Sequence, residues 1–103
     1  MAREKFQTLS EPMYYILLAM WEEVCGVDIM NKVAELSQGR VKVGPGTVYA
    51  MLERFEENGF IVRTRSQARK KWYVITEAGK ARLKEEQKRL LQQYKDGEHL
   101  LGE

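Results

Sequence analysis

The apolar residues of this chain change period once, and that change limits the folds it can adopt. Val48, Met51, Leu52 and Phe55 recur at helical spacing, whereas Phe60-Ile61-Val62-Arg63-Thr64-Arg65 and Lys71-Trp72-Tyr73-Val74-Ile75-Thr76 are β-branched and aromatic runs of strand length. Pro45 opens the helix in a first-turn position where its missing N–H costs nothing, and Gly59 ends it just after Asn58. Ser66-Gln67-Ala68-Arg69-Lys70 is expected to be a five-residue hairpin tip between the two strands. A helix running straight into a hairpin is the centre of the chain.

The flanks are helical. Ser10-Glu11-Pro12 reads as a helix start with Ser10 as its cap, and this first helix is expected to reach about Glu23. Met13, Ile16, Leu17, Met20 and Val24 form one apolar face, and Tyr14, Leu18, Ala19 and Trp21 make much of the other side apolar too. A surface helix normally has a polar back, so this one reads as buried from two sides. Gly26 breaks it, and a short second helix is expected from about Asp28 to Ser37, with Ile29, Val33 and Leu36 inward and Gly39 as a left-handed stop. Thr76 caps a last helix that extends to about Tyr94 or beyond, carrying a narrow apolar stripe of Leu83, Leu90, Leu91 and Tyr94. The expected fold is mainly α with a small β-hairpin. It divides into a flexible segment (1–8), a winged helix-turn-helix (9–76) and a C-terminal dimerisation helix with its tail (77–103).

Charge placement gives that arrangement a partner. The stretch from Arg40 to Trp72 holds eight basic residues against Glu53, Glu56 and Glu57, a balance of +5, although the whole chain of 103 residues carries only +2. From Ile61 to Thr76 five bases face no acid. A basic centre between acidic ends is the electrostatic footprint of a DNA-binding face. In a winged helix the third helix enters the major groove and the hairpin touches the flanking backbone. Thr47 and Tyr49 lie in the first turn of that helix, where hydroxyls reach phosphates or base edges, and Lys42 and Arg54 flank it. Arg69, Lys70 and Lys71 suit phosphate contact at the wing tip, and Trp72 suits packing over the sheet. The other reading of the same basic face is a winged-helix interaction module that meets an acidic protein.

Three helices and a hairpin already close a winged-helix core, so the stripe of Leu83, Leu90, Leu91 and Tyr94 is left over. The first helix, with Met13 and Leu17, has the same surplus. A homodimer pairing first and last helices across a two-fold axis satisfies both, and it would set two recognition helices about one DNA turn apart; the other reading is a last helix that folds back on its own domain.

Other functions find little support. The single histidine, His99, lies beside Gly97 and Gly102 near the C-terminus, where nothing would hold a catalytic imidazole, and no nucleophile or phosphate-loop motif is present. The chain is therefore not expected to be an enzyme or to need a cofactor. A lone Cys25 excludes an intrachain disulfide and a cysteine-bound metal, and reads as an inert small hydrophobe of the reducing cytoplasm. The longest apolar run, Met13 to Trp21, has nine residues, too few to span a bilayer, and no secretory signal precedes it.

The block Gly46-Thr47-Val48-Tyr49 … Leu52-Glu53-Arg54-Phe55-Glu56-Glu57-Asn58-Gly59-Phe60-Ile61, followed by Trp72-Tyr73-Val74-Ile75-Thr76-Glu77-Ala78-Gly79, resembles the PadR family of transcriptional regulators. Tyr15-Ile16-Leu17-Leu18 fits as well, and the resemblance covers roughly residues 9–95. It implies a prokaryotic dimeric repressor of the smaller subgroup, whose C-terminal part is one dimerisation helix, released from operator DNA by a small molecule. By motif, Thr47 and Tyr49 would contact DNA, Arg69, Lys70 and Lys71 would serve the wing, and Tyr14 or Tyr15 would add a tyrosine from the first helix. A small aromatic effector would sit between first and last helices, lined by Met20, Trp21 and Tyr94. Val27 and Ala50 depart from the tyrosine and proline common in the family at those places.

Overall fold

The computed structural model describes residues 8–102, so most of the N-terminal segment expected to be flexible lies outside the described residues. The elements run α1 (Glu11–Leu18), β1 (Val24–Cys25), a 3₁₀ turn (Gly26–Asp28), α2 (Ile29–Leu36), α3 (Pro45–Glu57), β2 (Ile61–Gln67), β3 (Lys70–Ile75) and α4 (Glu77–Leu101). The helix boundaries follow local chemistry. The Ser10 side chain accepts from the Met13 N–H at 3.3 Å, and Pro12 occupies the first turn of α1. Gly39 turns the chain after α2 at φ +81° while its N–H donates to the Ala34 carbonyl at 2.8 Å. Gly59 does the same after α3 at φ +76°, which lets the Phe60 N–H reach the Phe55 carbonyl at 2.9 Å. Thr76 accepts from Gly79 N–H at 3.1 Å and donates to the Gly59 carbonyl at 2.6 Å, joining the start of α4 to the end of α3.

One core holds these pieces. Ile16, Leu17 and Met20 from the first helical region, Ile29 and Val33 from α2, Val48, Leu52 and Phe55 from α3, and Ile61 from β2 are all buried in it. Among the described residues the sheet has three antiparallel strands in the order β1-β3-β2, with Val24 opposite Tyr73 and Cys25 opposite Trp72. Between Arg63 and Arg65 the β2–β3 register slips, so Thr64 bulges from the ladder.

Several expectations are corrected. The first helix stops at Leu18, five residues short of Glu23. Met20 and Trp21 N–H groups bond back three residues, and the Met20 carbonyl then accepts from Ile75 N–H at 2.8 Å, so the sheet takes the chain away from the helix. The hairpin tip is Ala68-Arg69, not five residues, because Gln67 pairs with Lys70 and Ala68 adopts φ +57°. Leu36 does not point inward; it is 43% exposed. Leu17 and Leu83 cannot form an exposed dimer seam, since both are buried in the chain's own core, and Met20 is buried there too. Gly79, Arg82, Leu83 and Glu86 are buried against the body, so the first turns of α4 pack with the winged helix instead of standing outside it.

Gly79 is where α4 docks. A Cβ at this position would fall on the Phe60 carbonyl oxygen and lie 2.6 Å from Ile75 Cγ1. Gly79→Ala gains up to about 1 kcal/mol of helix propensity, but the clash is with backbone, and overpacking of this kind costs about 1–3 kcal/mol. We expect a net loss of stability, read as a lower urea midpoint with unchanged m-value. A midpoint at or above that of the parent would contradict the close docking of α4.

Candidate nucleic-acid interface

The helix-turn-helix exposes one side of α3. Thr47, Tyr49, Ala50, Glu53 and Arg54 are exposed while Val48, Leu52 and Phe55 face the core. Gly44 holds an extended conformation ahead of Pro45, so α3 begins at the surface with Thr47 in its first turn. Tyr49 leans toward the sheet over Gly26, where a Cβ would lie 3.6 Å from both the Tyr49 and Tyr73 rings. The result is a groove of about 240 Å³ between α3 and the wing, lined by Gly26, Val27, Tyr49, Arg69, Lys70, Lys71 and Tyr73. Four residues selected from the sequence, Tyr49, Arg69, Lys70 and Lys71, meet there. The sequence marks Gly26 as a helix break and Val27 as a departure from the tyrosine common in the family, but places neither in the groove. Their place depends on the short strand Val24–Cys25, which two residues of sequence cannot announce.

The basic residues divide into two groups. Arg63 reaches Glu56 at 3.5 Å and sits 6.0 Å from the Tyr73 ring. Arg65 lies 4.0 Å over the Trp72 ring and 3.7 Å from Glu23, which also accepts from Thr64 Oγ1 at 2.5 Å. These two arginines fasten the wing to the body, and Trp72 packs under one of them. Lys42, Arg69, Lys70 and Lys71 are exposed and pair with no described acid, so their charge faces solvent. Tyr73, buried behind the groove, has its hydroxyl pKa raised by burial, against the opposing effect of Arg63. It stays protonated and adds no negative charge to the face.

Tyr15 is not in this groove. Its hydroxyl accepts from Arg40 Nη2 at 3.0 Å, and Arg40 Nη1 donates to Glu11 at 3.1 Å, so α1 is tied to the turn between α2 and α3. Arg54 is exposed in the last turn of α3, away from the residues that line the groove.

A second concavity of about 450 Å³ lies between α1, α2 and α4, lined by Tyr14, Leu18, Trp21, Leu36, Leu83, Lys84 and Gln87. Lys80 Nζ stands 4.8 Å from the Trp21 ring centroid beside it. Of the residues named for an aromatic effector only Trp21 lines it. Met20 is in the core, and Tyr94 stands further along α4, 60% exposed. Among the described residues no cluster of histidine, cysteine or acidic side chains could hold a metal ion, and no helix is long and apolar enough to cross a membrane.

The fold is similar to that of a PadR family transcription regulator from hypervirulent Clostridium difficile R20291, at 26% identity and a TM-score of 0.69, covering 86% of this chain and 98% of that one. It is similar to Bacillus subtilis PadR in complex with operator DNA, at 24% identity and a TM-score of 0.64, over 77% of this chain and 47% of that one. NadR in complex with 4-hydroxyphenylacetate matches at 20% identity and a TM-score of 0.61, over 96% of this chain and 67% of that one. No curated protein matches the chain significantly. The sequence profile of the transcriptional regulator PadR-like family matches residues 16–85, which span the helix-turn-helix, the wing and the docked turns of α4. With its motif block, its winged fold and that match in agreement, the chain belongs to the PadR-like family of transcriptional regulators.

Proposed function

We propose that this chain is a cytoplasmic, homodimeric repressor that binds operator DNA through α3 and the wing and is released by a small aromatic effector. The observation that carries the reading is the groove that gathers Tyr49 with Arg69, Lys70 and Lys71, whose charges are paired with no described acid. A helix face with hydroxyls beside a strip of free cations suits a duplex, because phosphate contacts fix position while the helix reads base edges. The likeness to Bacillus subtilis PadR with operator DNA supports it. Thr47 and Tyr49 take the reading role, the three wing residues the phosphate role, and Lys42 and Arg54 the flanking backbone. The Arg40-bound Tyr15 serves to orient α1 against the helix-turn-helix.

Effector binding is assigned to the concavity beside α1, whose Trp21 and Tyr14 offer aromatic walls and whose Lys84 and Gln87 offer a polar rim. The aromatic acid in the NadR complex supports that chemistry. Release requires the effector to favour one dimer geometry over the other.

Selection of duplexes from a random library at about 0.15 M salt, where exposed charges are screened as in cells, tests the reading. An enriched inverted repeat with half-site centres about 10 bp apart is the expected result. No enrichment by folded protein would overturn it.

A further inference from the structure

The outer wing has no core of its own. Every residue from Val62 to Lys71 is exposed, so burial does not fix where this part of the hairpin points. Yet the groove needs Arg69, Lys70 and Lys71 to stand beside Tyr49. The bulge at Thr64 lies between the buried root of the wing and this exposed end, and a bulge bends its strand and re-aims the side chains beyond it. Ahead of the bulge, Arg63 pairs with Tyr73 and reaches Glu56 on α3. After it, Arg65 pairs with Trp72. Consecutive strand residues point to opposite faces, so Arg65 and Trp72 stand on the side of the sheet away from Tyr73 and the groove.

We propose that Glu23 is a positioning residue for DNA binding: its carboxylate straps the bulge to the body and holds the outer wing against α3. The proposal rests on the operator-binding reading and adds to it a residue that lies outside the groove. Glu23 accepts from Thr64 Oγ1 at 2.5 Å and lies 3.7 Å from Arg65 Nε, so one carboxylate grips both residues of the bulge. The Arg65 guanidinium is fixed in turn by the Trp72 ring, 4.0 Å below it.

The strap has a firm root. Three residues before Glu23 the Met20 carbonyl accepts from Ile75 N–H at 2.8 Å, and the next residue, Val24, pairs with Tyr73. With the strands in the order β1-β3-β2, Glu23 starts at the β1 edge and reaches over β3 to hold β2. Glu56 holds Arg63 from the α3 side and Glu23 holds Arg65 from the other, so the wing is restrained on both faces. Glu23 and Arg65 are half exposed, and pairs of that kind add little to overall stability. The strap therefore acts on the direction of the wing and not on folding.

Glu23→Ala tests this with a sign that charge alone cannot give. The substitution removes an acid and no cation, so a purely electrostatic role predicts tighter binding to DNA. A lost strap predicts weaker binding: roughly 10-fold at about 0.15 M salt, with the slope of log affinity against log salt shallower by about 2 if each wing of a dimer loses one phosphate contact. A folding defect would lower the competent fraction without changing that slope. Glu22→Ala, the same charge change at the exposed neighbouring residue, should leave binding unchanged or tighter. Thr64→Val should weaken binding in the parent and add nothing to Glu23→Ala, since both remove one interaction. Tighter binding by Glu23→Ala, or an unchanged slope, overturns the proposal while operator binding by the parent keeps the DNA reading intact. Failure of the folded parent to bind any duplex overturns both.

Discussion

Alanine at Arg69, Lys70 and Lys71 together is expected to weaken binding to every duplex by roughly 10²–10³-fold at 0.15 M salt, with sequence preference unchanged. The three side chains stand at the wing end of the groove and pair with no described acid, so they are available to phosphates in the free protein. In a dimer six cations are removed. Each phosphate contact contributes about −0.9 to the slope of log affinity against log salt, so the slope should become shallower by about 5 if all six engage. The fold should be indifferent, because exposed substitutions away from packed features usually stay within about 0.5 kcal/mol. Titrations of the selected operator and a scrambled duplex at several salt concentrations measure both quantities. A variant that loses preference for the operator while keeping its salt slope would mean that the wing reads bases, and the assignment of phosphate contact would fall.

The same residues show what a sequence discloses. Arg69, Lys70 and Lys71 were legible because a charge run at a turn is a local feature, and α3 was legible because Pro45, Gly59 and the Val48–Phe55 period are all local signals. The length of α1 was not. Nine apolar residues in a row fit a longer helix equally well, and only the tertiary bond from Ile75 N–H to the Met20 carbonyl shows that the chain leaves for the sheet. The tight tip at Ala68 was hidden because a left-handed turn usually advertises itself with glycine or asparagine. Helical spacing names the faces that hold Leu17, Leu83 and Met20 without saying what covers them. Nothing local marks Arg82 and Glu86 as buried, since charges at a helical spacing of four ordinarily belong to a solvated face.

That last pair carries the largest stability effect we expect. Glu86 is 1% exposed, and its carboxylate accepts from Arg82 at 3.3 Å and from Arg89 Nε at 3.0 Å, with the Leu9 backbone N–H as a further donor. Burial by itself pushes the Glu86 pKa up. The Arg89 hydrogen bond, the Leu9 N–H and the charges of Arg89 and Arg82 together outweigh it, so the carboxyl is held below its ordinary value of 4.5. Glu86→Ala takes the buried partner from Arg82, which is 10% exposed and keeps Glu85 at 3.5 Å, so the loss falls at the low end of the roughly 3–5 kcal/mol that breaking a buried pair costs. At about 4–8 °C per kcal/mol for a domain of this size, Tm should fall by roughly 12 °C or more. Because the folded pKa is depressed, the ionised carboxylate contributes its full stabilisation above about pH 4.5 and loses it as pH falls through the folded value. Glu86→Gln keeps an acceptor but cannot titrate, so its deficit against the parent should be largest near neutral pH and shrink in acid. A deficit that stays constant with pH would mean that the charge contributes nothing. Glu86 is also the last buried residue of α4, at the point where the helix leaves the body. Of its three donors only the Leu9 N–H lies outside α4, so that bond ties the departing helix to the segment before α1, and in a dimer built on α4 the direction of departure sets the distance between the two copies of α3. Glu86→Gln at neutral pH, while still folded, should therefore loosen the half-site spacing recovered in the duplex selection and leave the half-site sequence itself intact.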